Sequence, residues 1–403
     1  DIKLGNISLS QDSSEIIIKD ENGFYTNLSS LIKDIYRGDT TPNRDTVDVS
    51  KPLFSQKLAF WDNQKLTIDV PSLLQDRQLQ TNNEYVVATL SSKTLTFSKT
   101  STNQIEITKF SELGEECLLT LRDKEDQINR SQLTIQSVVA PVSNTSESIK
   151  LHLIGDSILN RGGGSLLKQY LEAQGYAPSF IGTMTGADQY STSGYSNGEL
   201  GEGREGWETG DFTYKITNRV NIVPVGEESA YLGYNKSTKW TYNPYLREAT
   251  SNDPSEIIRN GYVFDFSYYL SRFGFETPDV VYIGLGTNDV RDLDDPTLSQ
   301  DVYDNLTLMI NQIKSVSPNI KIIISLPSTG FEKERNNVWK NEYFYVIRAL
   351  QKVAKDTNVV LAPVWALTGS QHDCYPVTST TIDAVSGAVM GTFSDAIHPE
   401  FAT

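Results

Sequence analysis

Cysteine is scarce: the 403-residue chain has two, Cys117 and Cys374. They fall in what read as different domains, so no disulfide framework organises the fold, and so small a count leaves the redox compartment open. Basic charge is in deficit, with 35 Lys and Arg against 51 Asp and Glu and a formal net charge of -16. The average surface repels a polyanion, so nucleic acid is not an expected partner. No apolar run approaches the roughly 20 residues that span a bilayer, and no membrane span is expected. The N-terminus has neither the basic n-region nor the apolar h-region of a secretory leader. An initiator Met is also missing, which points to a processed or excised piece of something longer. HExxH and clustered Cys or His pairs are absent, so a zinc site has no ligand set and no metal is expected. With three histidines in the chain, any imidazole base is His152, His372 or His398.

What is present changes character near residue 145. Between 51 and 140, short and often alternating apolar runs (LAFW, KLTIDV, EYVVATL, KTLTFSK, NQIEITKF, CLLTLRD, SQLTIQSVV) are separated by polar turn residues. This pattern predicts a β-sandwich-like accessory domain. Residues 1–50 form an N-terminal segment of unclear fold, with one short helical stretch at LSSLIKDIY and an RGD that reads as a solvated turn. PVSNTSES, residues 141–148, has linker composition and predicts that the remainder folds independently. From 149 to 403, apolar strands alternate with helical segments: LHLIG and SLLKQYLEAQG, DVVYIGLG and YDNLTLMINQIKSV, IKIIISLP and WKNEYFYVIRALQKVAKD, then NVVLAPV. Such alternation predicts an α/β domain whose parallel sheet is covered on both faces, with function at the carboxyl ends of its strands.

Two motifs mislead. GEGREG, Gly201 to Gly206, has the G-x-G-x-x-G spacing of a dinucleotide site, which requires a strand running in and a helix running out. Its lead-in, YSTSGYSNGEL, is polar, and WETGDF after it lacks helix formers, so a glycine-rich loop is predicted and no cofactor is expected. GYSNG, Gly194 to Gly198, fits G-x-S-x-G without the flanking strand and helix of a nucleophile elbow. The 51 acidic residues offer no basis for selecting a glycosidase pair.

The strand ends carry better signals: Gly155-Asp156-Ser157, Gly286-Thr287-Asn288-Asp289, and Asp395-Ala396-Ile397-His398-Pro399 near the C-terminus. A serine at a strand-to-helix turn, a carboxamide on a neighbouring loop and a carboxylate three residues before a histidine suit nucleophilic acyl transfer. Here the chain resembles the SGNH (GDSL) hydrolases, whose blocks are GDS, a loop glycine, GxND and DxxH. Residues 149–403 hold all four in the family's order; each alone is weak, and four in order are specific. The resemblance implies a three-layer α/β/α domain. It also aligns GEGREGW with an EGxxGW second block, so that the oxyanion hole comprises the N–H of Ser157, the N–H of Gly206 and the side-chain amide of Asn288. Ser157 is then the nucleophile, His398 its base and Asp395 the partner of the imidazole. Asp156 supports the turn, and Trp207 walls the site. His152, inside a strand, reads as a core histidine, and His372, in QHDCY, as a loop residue near the cleft.

A long insertion separates the second block from GTND. Its FDFSYYL and PDVV look like a segment of carbohydrate-active members, and Trp240, Tyr242 and Tyr245 form either a sugar-stacking rim or the insertion's own small core. The expected function is a serine ester hydrolase, a carbohydrate O-acetylesterase, acting on an acetylated glycan. The alternatives are a lipase or thioesterase of the same family, or a virion tail or cell-surface glycan-binding protein that carries the domain. An extracellular or surface-associated setting is expected, as a secreted bacterial enzyme or a phage virion tail component. A homo-oligomer or a larger surface or virion assembly is compatible with that setting. The chain stops at HPEFAT, without the Gly-Tyr and terminal helix that usually follow the histidine, which points to residues beyond Thr403.

Overall fold

The computed structural model describes residues 2–4, 7–12, 15–19, 25–27, 49, 52–61, 64–108, 110–124, 126, 128–140, 146–189, 194–214, 219–291, 293–367, 375, 377–382 and 389–399. The expected helix at LSSLIKDIY, the RGD turn, most of the linker, His372 and Cys374 lie outside the described residues. Four short strands near the N-terminus, Ile2–Leu4, Ile7–Asp12, Glu15–Lys19 and Tyr25–Asn27, pair as an antiparallel meander.

The accessory region is sandwich-like. A five-stranded sheet runs in the order Lys57–Phe60, Arg130–Val139, Glu116–Asp123, Val86–Ser92, Ser98–Ser101, beside a two-stranded sheet of Leu66–Asp69 and Gln104–Ile107. Strand periodicity does the sorting. Cys117, Leu119 and Leu121 alternate inward along Glu116–Asp123, opposite Leu90 and Ala88 on the neighbouring strand. Cys117 is a buried free thiol. KTLTFSK departs from expectation, because the strand there starts only at Ser98. The Ser92 hydroxyl accepts the N–H groups of Thr94 and Leu95, and this local bonding turns the chain before pairing resumes. A helix at Arg77–Asn83, capped by Asp76 through the N–H of Leu79, has no apolar periodicity to announce it.

In the second part a mostly parallel sheet runs Met184–Thr185, Leu200–Gly203, Ser148–Gly155, Val280–Gly284, Lys321–Ser325, Val360–Ala362, and Ala177–Ile181 also pairs with Ser148–Gly155. Both faces are covered, as the alternation of side chains shows. Leu151, Leu153 and Tyr282 pack with Leu167 and Leu171 of the helix Gly163–Ala173. Ile154, Val281 and Ile283 belong to the core that holds the helices Leu298–Val316 and Phe344–Thr357. The α/β/α layering expected from the sequence is therefore present, with the strand Ser148–Gly155 near its middle.

The two parts share one core. Trp339 and Trp365, both fully buried, donate their indole N–H groups to the carbonyls of Leu74 and Leu53, each at 2.9 Å. Gln351 donates to the carbonyls of Pro52 and Phe54. The linker composition of 141–148 predicts separate units, whereas the contacts that join the two parts come from segments far from the linker in sequence.

Candidate active site

The strand Ser148–Gly155 ends in a close crossing. A Cβ at Gly155 would stand 3.0 Å from the Gly284 carbonyl oxygen and 2.8 Å from the Leu159 Cβ, so the turn needs glycine. Asp156 then caps a one-turn helix, Ser157–Asn160, accepting the N–H of Ile158 at 2.9 Å, and Ser157 stands at the helix's first position. Burial pushes the Asp156 carboxyl up to about 7, against the pull of that N–H and of the His398 ring.

Ser157 Oγ lies 2.7 Å from His398 Nε2, and His398 Nδ1 lies 2.7 Å from Asp395 Oδ2. With Nδ1–H donating to the carboxylate, Nε2 is left to accept the serine proton. Burial acts to raise the Asp395 pKa, but hydrogen bonds from the His398 ring and from the N–H groups of His398 and Ile397 prevail and hold it well below the usual carboxylate range. The sign of the pH dependence follows. At low pH a protonated imidazole cannot take the serine proton, so activity is expected to rise with pH and level off, while Asp395 stays ionised throughout. Asp156, raised to about 7, is expected to add a proton to that acid limb, and Asp156→Asn to remove it. A kcat/KM profile with no acid limb would remove the imidazole from the role of base.

The second block enters the site through the strand Leu200–Gly203, which pairs in parallel with Ser148–Gly155 at Ile154↔Glu202 and Gly155↔Gly203. The expectation of a loop there, with neither strand nor helix, is thus corrected: a short helix, Thr209–Thr213, also follows. Its first N–H, from Thr209, is donated to Asp289, the last residue of GTND, so the anion at this helix start is a side chain of the protein. Burial raises the Asp289 pKa to about 7 despite the bonds from Thr209. Gly206 sits at φ +73°, a conformation that favours glycine. Its carbonyl accepts from Arg291 at 2.9 Å and Arg219 at 3.1 Å.

Asn288 links the blocks. Its Nδ2 donates to the Trp207 carbonyl at 3.0 Å and lies 3.4 Å from Asp156 Oδ2, while Arg291 donates to its Oδ1 at 3.2 Å. Its amide therefore stands between the residues adjoining Gly206 and Ser157. Among the described residues, the N–H groups of Ser157 and Gly206 donate to no protein oxygen.

The substrate-binding expectations fare unevenly. Tyr245 is 0 % exposed and its hydroxyl bonds to His152 Nε2 at 2.7 Å; it is core, not rim. His152 is fully buried between that hydroxyl and the Ile181 carbonyl, as its strand position implied. Trp207 is buried against Phe212 and the Arg204 guanidinium, so its ring does not wall an open site. Tyr242 is half-buried in a cluster with Tyr231 and Tyr234, and Trp240 is half-buried at the end of the helix Lys236–Lys239. Ser196 of GYSNG is exposed and in no strand or helix.

Sequence reasoning missed three charged residues. Arg161 forks onto Glu205, with its NH2 2.7 Å from Oε2, and its NH1 lies 3.4 Å from His398 Nδ1 and 3.9 Å from Asp395 Oδ2. Its place one helical turn after Ser157 was the available signal. Arg291, three residues after Asn288, ties that amide to the Gly206 carbonyl.

Among solved structures, a carbohydrate esterase of family 3 from Talaromyces cellulolyticus is similar at 18% identity, over 53% of this chain and 78% of that one, with a TM-score of 0.31. A family 2 carbohydrate esterase with a carbohydrate-binding domain from Corynascus thermopiles (Myceliophthora fergusii) shows 13% identity over 78% of this chain and 87% of that one, TM-score 0.32. The acetyl xylan esterase Est2A from Butyrivibrio proteoclasticus shows 15% identity over 83% and 80%, TM-score 0.26. No curated protein matches the chain. Residues 233–399 match the GDSL-like lipase/acylhydrolase family, a span that includes Asn288, Asp395 and His398 and begins after Ser157 and Gly206. Over residues 233–399 the chain is thus similar to the GDSL-like lipase/acylhydrolase family.

Proposed function

We propose that the protein is a serine esterase that removes O-acetyl groups from a carbohydrate. The observation that carries the reading is the continuous hydrogen-bonded line from Ser157 Oγ through the His398 ring to Asp395, at the carboxyl end of the strand Ser148–Gly155. Ser157 Oγ attacks the acetyl carbonyl as its proton passes to His398 Nε2. The N–H groups of Ser157 and Gly206 and the amide of Asn288 hold the oxyanion; each such donor contributes about 3 to 4 kcal/mol in a water-poor site. Collapse expels the sugar oxygen, which takes the proton from His398. Water, deprotonated by the same imidazole, then attacks the acyl-serine, and collapse releases acetate as Ser157 Oγ takes the proton back from His398. Asp395, ionised and fixed, stabilises the imidazolium in both halves.

The carbohydrate assignment is supported by the polar surroundings of the serine, with Arg161, Glu205, Asn288 and Arg291 at hand. One observation favours a lipase or thioesterase instead: an apolar cavity of about 270 Å³, bounded among the described residues by Ile158, Leu166, Leu167, Tyr282, Val364 and Tyr375. Asp156, Ile158 and Pro399, the chain neighbours of Ser157 and His398, line it, but Ser157 itself does not. A longer acyl chain gains about 0.8 kcal/mol per buried methylene, so a lipase should climb steadily in kcat/KM from p-nitrophenyl acetate to the decanoate. Here kcat/KM is expected to be highest for acetate, with acetate released from acetylated xylan or another acetylated glycan. Steady climbing with no release from any acetylated glycan would replace this reading with the lipase.

A further inference from the structure

Arg77, the first residue of the helix Arg77–Asn83, crosses from the accessory region into the α/β domain and is 1 % exposed. Its guanidinium lies 4.4 Å over the Trp339 ring. Nε donates to Asn336 Oδ1 at 2.6 Å, NH1 to the Thr329 carbonyl at 3.1 Å, and NH2 to the Thr329 hydroxyl at 2.9 Å and the Gly330 carbonyl at 3.0 Å. The segment so gripped continues from the strand Lys321–Ser325 and touches the catalytic loop directly. Gly330 N–H donates to the Ala396 carbonyl at 2.7 Å, and a Cβ on Gly330 would come within 3.0 Å of the Ala396 backbone. Ala396 lies between Asp395 and His398.

A buried guanidinium is an inefficient route to stability, because packed apolar side chains of similar volume often do as well or better. Its planar fork is suited to fixing several acceptors at once. We infer that Arg77 is a positioning residue for the catalytic loop, fixing Thr329 and Gly330 and, through Ala396, the placement of Asp395 and His398. The inference rests on the triad proposed above, and it makes the accessory region part of the catalytic apparatus.

The test uses the full chain and four variants: Arg77→Ala, Arg77→Lys, Trp365→Phe and Ser157→Ala. Trp365→Phe removes an indole bond between the same two parts without touching the 329–330 segment, and it is expected to lower the melting temperature while keeping kcat. Arg77→Ala is expected to lower kcat on p-nitrophenyl acetate by about 10- to 100-fold with KM unchanged, the scale of a small misplacement of catalytic groups. It is also expected to shift the far-downfield proton resonance of the His398–Asp395 hydrogen bond. Arg77→Lys, which keeps the charge and loses the fork, should fall between. A folded Arg77→Ala protein with wild-type kcat and an unmoved resonance would overturn the inference. Should Arg77→Ala not fold, Arg77→Lys decides on the same two readings. Ser157→Ala separates the two ideas: if it retains turnover, the triad is wrong; if it is inactive while the Arg77 variants match wild type, only the positioning role is wrong.

Discussion

Ser157→Ala is expected to lower kcat for an acetyl ester by roughly 10⁴- to 10⁶-fold, leaving the residual rate that a bare oxyanion hole and binding supply. The size of the effect follows from chemistry. Without Oγ no acyl-enzyme forms, so His398 has no serine proton to take and Asp395 no imidazolium to stabilise, and the three residues fail as a unit. The structural cost is small, because the hydroxyl's bond is to His398 at the mouth of the turn. Losing one such bond costs about 1 kcal/mol, so the melting temperature should change by only a few degrees. Circular dichroism melts beside initial rates on p-nitrophenyl acetate check both halves. Near-normal turnover by the purified variant would remove Ser157 from the chemistry.

Asn288→Ala carries the second largest expectation, a loss of roughly 100- to 1000-fold in kcat with little change in KM, as for the removal of one oxyanion donor. Asn288 also binds the Trp207 carbonyl and receives Arg291, so the truncation is expected to cost about 1 to 3 kcal/mol of stability as well. Asn288→Asp tests the donor role from the other side: a carboxylate still accepts from Arg291 but offers no N–H to an oxyanion and faces the Trp207 carbonyl and Asp156, so its kcat should be as low as that of the alanine variant, with no gain in stability. A loss confined to KM in both variants would make Asn288 a ground-state contact.

Much of this arrangement was legible because its signals are contiguous. Gly155-Asp156-Ser157 and Asn288-Asp289 are short blocks at the ends of apolar strands, Asp395 to His398 is a short block near the C-terminus, and the structure brings Ser157, His398 and Asp395 within hydrogen-bond distance. The strand Leu200–Gly203 was illegible for the opposite reason. LGEG has a single large apolar residue, and glycine serves there because a Cβ on Gly203 would stand 2.7 Å from the Asn160 nitrogen. Composition also misplaced Tyr245, since a tyrosine in a polar stretch looks exposed until its partner, His152, arrives from a strand 93 residues away. The shared core escaped notice likewise. Arg77 and Thr329 are 252 residues apart, and a single polar residue in RQLQTNN gives no hint of burial. Periodicity reports which face of an element is buried, not which distant segment buries it.

The most direct test of the esterase reading is to trap the acyl-enzyme. The protein is mixed with p-nitrophenyl acetate, quenched in acid during the burst, and mapped by peptide mass spectrometry; a parallel sample is treated with a fluorophosphonate. The account predicts one acetyl group and one phosphonyl group per chain, both on the peptide that contains Ser157, and neither in the His398→Ala variant. An adduct on another residue, such as Ser196, or ester turnover with no adduct at Ser157, would contradict it.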